Sequence, residues 1–117
     1  MSGAQFASAE RPPGQATYGM ANLRGKTTGL PFIVFISQKD GARHDVRVKV
    51  SDHPRVWENQ MGCYGVRPFV YLNGPRLSTA DEQLLERWVE ANRDVLVEYW
   101  DGDIEYTEDA IERLVKV

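Results

Sequence analysis

His44, His53 and Cys63 are the residues of this chain best suited to metal or nucleophilic chemistry, being its two imidazoles and its one thiol. With Asp45 and Asp52 beside the histidines they could supply a metal site or a Cys–His pair. Their spacing argues against both. No HxxxH, HxH or CxxC pattern occurs, His53 stands directly before Pro54 in loop-type sequence, and an isolated cysteine is most simply a small buried hydrophobe. Gly62, Gly65, Gly74 and Gly102 are separate turn signals and form no phosphate-cradling loop. Glu86, Glu90 and Asp94 recur at every fourth position of one helix face, flanked by Arg87 and Arg93, which is ordinary helix surface. These residues predict no enzyme, no metal and no cofactor.

Binding chemistry is better represented. Arg43, Arg47, Lys49 and Arg67, with Tyr64 and Tyr71 near them in the expected topology, offer a basic face with aromatic platforms for single-stranded nucleic acid. Alternating Lys and Arg is also what any half-buried strand presents to water. Charge divides along the chain: residues 1–74 carry nine Lys/Arg against five Asp/Glu, and residues 75–117 carry five against twelve. The acidic half would repel a phosphate backbone, so a nucleic-acid contact has to come from the basic half.

The elements that must position these groups are legible from periodicity. Leu84, Leu85, Trp88, Val89, Ala91, Val95, Leu96, Tyr99 and Trp100 recur at helical spacing, with Glu86, Arg87, Glu90, Arg93, Asp94 and Glu98 opposite, which predicts an amphipathic helix over residues 80–100. Thr79 and Glu82 read as a capping box, with Ser78 as a competing cap. Asn92 competes for backbone hydrogen bonds, so a break there is an alternative to one continuous helix. Gly102 marks the end, and Thr107 opens a last short helix with Ile111, Leu114 and Val115 facing inward. Three strands precede: Pro31 to Ser37, covered on both faces; His44 to Ser51, with Val46, Val48 and Val50 on one face and Asp45, Arg47 and Lys49 on the other; and Val66 to Leu72. Asp40-Gly41 is the turn between the first two. The expected architecture is α+β, a small three-stranded antiparallel sheet packed on C-terminal helices in the order β-β-β-α-α. Residues 1–30, rich in Gly, Ala, Ser, Thr, Pro and Gln, are expected to form a disordered arm, leaving residues 31–117 as a single domain.

One mismatch bears on function. If the helices cover one sheet face, the first strand still presents large apolar groups such as Phe35 on the reverse. Either the segment holding Trp57 and Met61 folds back over them, or a partner does, a second copy of the chain being the favoured version. Light scattering that returned the mass of a single chain would remove that version. No apolar run approaches a bilayer span, the first residues lack a signal-peptide core, and Cys63 has no disulfide partner, all of which fit a cytoplasmic chain.

The run from Trp88 to Ile104 (WVEANRDVLVEYWDGDI) resembles the C-terminal segment of small uncharacterised bacterial proteins classed as domains of unknown function, which place a few strands first and end in a helix carrying an N-R-x-x-L-x-x-Y-W signature. Gly29-Leu30-Pro31-Phe32, leading into the first strand, is similar in outline. Similar domains look like accessory or regulatory pieces, some in toxin–antitoxin-like settings, so the resemblance implies a binding role and assigns no site residue. The expectation is a non-catalytic binding or regulatory module acting through protein–protein contacts. The alternative is a nucleic-acid-binding accessory protein. Candidate contact residues are Phe35, Arg43, Arg47, Lys49, Trp57, Tyr64, Arg67 and Tyr71.

Overall fold

Alternation builds the sheet from its middle outward. In the computed structural model, which describes residues 20–53 and 60–117, Val46, Val48 and Val50 are all at most 5% exposed, whereas Arg47 and Lys49 between them are partly exposed. This strand, β3 (Arg47–Ser51), pairs antiparallel on one side with β2 (Ile33–Ser37) and on the other with β4 (Gly62–Val66). The valines sit on the sheet face that meets the helices, as their period of two requires.

Among the described residues the sheet has five strands rather than the expected three, in the order of the chain and antiparallel throughout. One extra strand, β1 (Met20–Leu23), pairs with β2 and lies inside the stretch expected to be a disordered arm. A single helical turn, α1 (Gly25–Thr28), follows it, and Met20, Leu23, Thr28 and Leu30 are buried. The packed body therefore begins at least by Met20 instead of Pro31. Residues 1–19 lie outside the described set.

The expected strand Val66 to Leu72 is instead a hairpin that splits at Arg67-Pro68: β4 ends at Val66 and β5 (Phe69–Asn73) begins at Phe69, with Val66 opposite Phe69. Proline has no N–H to give a ladder, so a run containing Pro68 cannot continue as one central strand. β4 escaped the sequence reading because Gly62 and Gly65 dilute its strand pattern. Its backbone needs that smallness: a Cβ at Gly62 would fall 2.4 Å from the Pro75 carbonyl oxygen.

The Asp40-Gly41 turn forms as expected. Asp40 (φ 44°) and Gly41 (φ 83°) are both left-handed, and the Ala42 N–H donates to the Lys39 carbonyl at 2.8 Å, the geometry that Asp-Gly favours. The turn caps a longer loop, because β3 starts only at Arg47. The Lys39 N–H ties that loop to the Trp100 carbonyl at 2.9 Å.

Two helices replace the long one: α2 (Thr79–Ala91) and α3 (Arg93–Asp101), followed by α4 (Thr107–Arg113). Ser78 rather than Thr79 caps α2, its Oγ accepting from the Asp81 N–H at 3.1 Å. Glu82 does not close a capping box but turns to Tyr64 and Arg76. The break at Asn92 has a visible cause. Its side chain is buried, donates from Nδ2 to the carbonyls of Trp88 and Val115 at 2.9 and 3.0 Å, and accepts at Oδ1 from the Val115 N–H at 2.8 Å. Leu85, Trp88, Val89, Leu96, Tyr99 and Trp100 then pack onto Val34, Ile36, Val48 and Val50, forming the main core. In α4 the inward residue is Ala110; Ile111 and Val115, expected inside, are 36% and 51% exposed. Ala91 also leaves the buried stripe.

The reverse face of β2 is closed. Phe35 is 1% exposed and clusters with Met20 and Met61, with Ile33 packed against them. Of the two covers expected there, the chain's own is present: Met20 of β1 and Met61, the residue preceding β4, close the face, while Trp57 lies outside the described residues.

Candidate interaction surface

Strand alternation decides which of the expected contact residues share a surface. Tyr64 pairs with Val48 and with Tyr71, and paired residues of neighbouring strands point to the same side. Both tyrosines therefore lie on the helix-covered face. Arg47 and Lys49 lie on the other. The proposed basic face with aromatic platforms is divided by the sheet itself, and Tyr64, fully buried among the core residues, offers no ring to a base. Arg43 is exposed in the loop before β3, Phe35 is buried, and Trp57 lies outside the described residues.

Arg67, at the β4–β5 turn, holds Asp45 through Nε and Nη2 at 2.8 and 2.9 Å. That two-pronged hydrogen bond, with help from the Val46 backbone, holds the Asp45 carboxyl down at about 2, from an ordinary 3.8. The pair is about half exposed on both sides, so its charge is largely neutralised while its contribution to stability is slight.

Tyr64 anchors a polar knot at the other end of the hairpin. Its hydroxyl donates to Glu82 at 2.5 Å and accepts from the Leu77 N–H at 3.0 Å. Burial, and then the negative Glu82 beside it, push the phenol up to about 12. Arg76 closes the knot, donating from Nε to Glu82 at 2.8 Å and lying 4.7 Å over the Tyr71 ring. Hydrogen bonds from Arg76 and then Tyr64 hold the Glu82 carboxyl below its usual range. The knot joins β4, the β5–α2 connection and the first turn of α2.

The residues with chemical potential do not assemble into a centre. The His44 ring packs on Trp100 with centroids 5.1 Å apart, and its Nδ1 lies 2.8 Å from the Asp45 carbonyl oxygen. His53, in the loop after β3, donates its backbone N–H to Ser51. Cys63 is buried within β4. Among the described residues no three His, Cys, Asp or Glu gather where a metal could be held. A shallow groove of about 330 Å³ runs past Glu90, Asn92, Arg93, Asp94 and Arg113. Its two arginines carry carboxylate partners, Arg93 on Glu90 and Arg113 on Glu98.

What remains is β5. Among the described residues it is the last strand of the sheet, paired with β4 on one side only. Val70 and Leu72 are 46% and 43% exposed, and Phe69 and Tyr71, which alternate with them, are half-buried. A continuous apolar run of this kind normally marks a strand enclosed on both faces and both edges. At the opposite end of the sheet, β1 buries its own apolar residues, Met20 and Leu23. Sequence reasoning named Tyr71 and missed Val70 and Leu72, since nothing in a sequence distinguishes an edge strand from an inner one until strand order is known. A register shift beside Cys63 and Tyr64 leaves one extra residue on β5 between Tyr71 and Asn73, a bulge that limits the regular stretch of the edge.

No protein-family model matches the chain, and neither a curated protein nor a solved structure does.

Proposed function

We propose that this chain is a non-catalytic binding module that acts through protein–protein contacts, docking an extended apolar strand on the β5 edge. The observation that carries this reading is the half exposure of Val70 and Leu72 on a strand that no other described strand flanks on its outer side. Such an edge offers two things to a partner. Unpaired N–H and C=O groups supply main-chain hydrogen bonds, and alternate apolar side chains supply selectivity. The rest of the hairpin is stiffened for the task by the Tyr64–Glu82–Arg76 knot on one end and the Arg67–Asp45 pair on the other.

Panning a displayed library of random peptides against the wild-type chain and a Val70→Lys/Leu72→Lys variant tests the reading. Recovered sequences should alternate apolar residues and bind the variant at least about tenfold more weakly, the equivalent of one 1.4 kcal/mol step. Binders indifferent to the two lysines would show that docking occurs elsewhere.

A further inference from the structure

The β5 edge is chemically unusual in carrying no charge of its own. Phe69-Val70-Tyr71-Leu72-Asn73 contains no Asp, Glu, Lys or Arg, whereas edges that resist pairing commonly display one. The two arginines that bracket it are already compensated, Arg67 by Asp45 and Arg76 by Glu82. A charged peptide would find no counter-charge on this strand. A neutral strand with apolar residues on either side of a central aromatic ring would fit, and the chain itself carries one.

Resting on the docking reading above, we propose that the occupant of this edge is the β5 edge of a second copy, paired antiparallel about a two-fold axis at Tyr71. An isologous contact uses the same patch on both copies, so residue i meets j and j meets i. In this register Val70 of one copy lies opposite Leu72 of the other, twice, Leu72 being the bulged residue of its own strand. The four half-exposed side chains cover one another. No unpaired like charges are brought together, because each bracketing arginine arrives with its carboxylate.

Size sets the strength. A five-residue strand spans roughly 17 Å, and the bulge shortens its regular part. The interface falls below the roughly 1,200 Å² at which stable complexes begin, so the dimer is a weak one that forms with rising concentration.

Sedimentation equilibrium from low to high micromolar concentration should show reversible monomer–dimer exchange, lost in Leu72→Lys while the melting temperature stays close to wild type, since the side chain is exposed. Register is read by mixing a Val70→Cys chain with a Leu72→Cys chain under mild oxidation. The mixture should give a 70–72 cross-link, with neither variant alone giving its own dimer at a comparable rate; buried Cys63 stays out of the reaction. Equal cross-linking by each variant alone would overturn the register. A wild-type chain that remains monomeric across the range overturns self-pairing, and if library peptides still bind it in a Val70- and Leu72-dependent way the docking reading survives. A dimer untouched by Leu72→Lys overturns both.

Discussion

Asn92 sits at the corner where an amphipathic stripe changes direction, and its amide does the work of a piece of backbone. It bonds both polar groups of Val115 as a neighbouring strand would, and holds the Trp88 carbonyl at the end of α2. Replacing it with Leu leaves buried groups without partners and should cost about 3 kcal/mol, measured by urea denaturation, with loss of exchange protection at Val117, whose N–H bonds the Thr28 carbonyl. An unchanged midpoint would mean the tail closes the corner without Asn92. Tyr64 makes a pH prediction of definite sign. Its phenol is raised from 10 to about 12 in the folded chain, so the folded state keeps its proton where the unfolded chain loses it. Stability should be complete below pH 10 and fall as pH climbs toward 12, by about 2–3 kcal/mol for a two-unit shift. Phenolate absorbance should show one tyrosine titrating later than the rest, in step with unfolding. Asp45 works oppositely: its contribution is present above about 4 and disappears as pH falls toward 2. Because the pair is half exposed, Asp45→Asn should change stability by less than about 1 kcal/mol.

At the scale of elements, Trp88 is the residue on which the two layers depend. It is fully buried between α2 and the valine face of the sheet, and Trp88→Ala should cost about 3–5 kcal/mol by cavity formation, seen as loss of a cooperative thermal transition. Much of this layer was legible beforehand. The period of two in Val46, Val48 and Val50 and the helical spacing of Leu85, Trp88, Leu96 and Trp100 are local patterns that burial then enforces, and Gly102 ends α3 as read. Strand number was not legible, for three physical reasons. Met20–Leu23 has no alternation and becomes a strand only by pairing with β2. Gly62–Val66 hides in two glycines, of which Gly62 is packed close against Pro75 and Gly65 against Pro68 and Val70. The apolar run through Val66 and Phe69 conceals a turn, because only Pro68 announces it. The candidate basic face failed for a related reason. Arg47, Lys49, Tyr64 and Tyr71 were grouped by nearness in the expected topology, and the sides of a sheet are set by cross-strand register, which a single sequence does not state.

For the whole molecule, the five-stranded sheet has one face under the helices, a closed apolar cluster at Phe35 on the other, and two unequal edges. β1 buries its apolar residues while β5 leaves them half open, so association is expected at one edge only, where a sheet can grow without rearranging its core. No helix among the described residues is long and apolar enough to cross a membrane. Lys substituted at Val70 or Leu72 should leave folding intact and end association, whereas Lys at Phe35, which is 1% exposed, should unfold the chain by placing a charge in a closed cluster. The most direct test is hydrogen–deuterium exchange of the β5 amides at low and high protein concentration. Formation of a shared strand pair predicts that those β5 amides not bonded to β4 become protected as concentration rises, in the wild type and not in Leu72→Lys. Exchange at β5 that is fast and identical at both concentrations would contradict it.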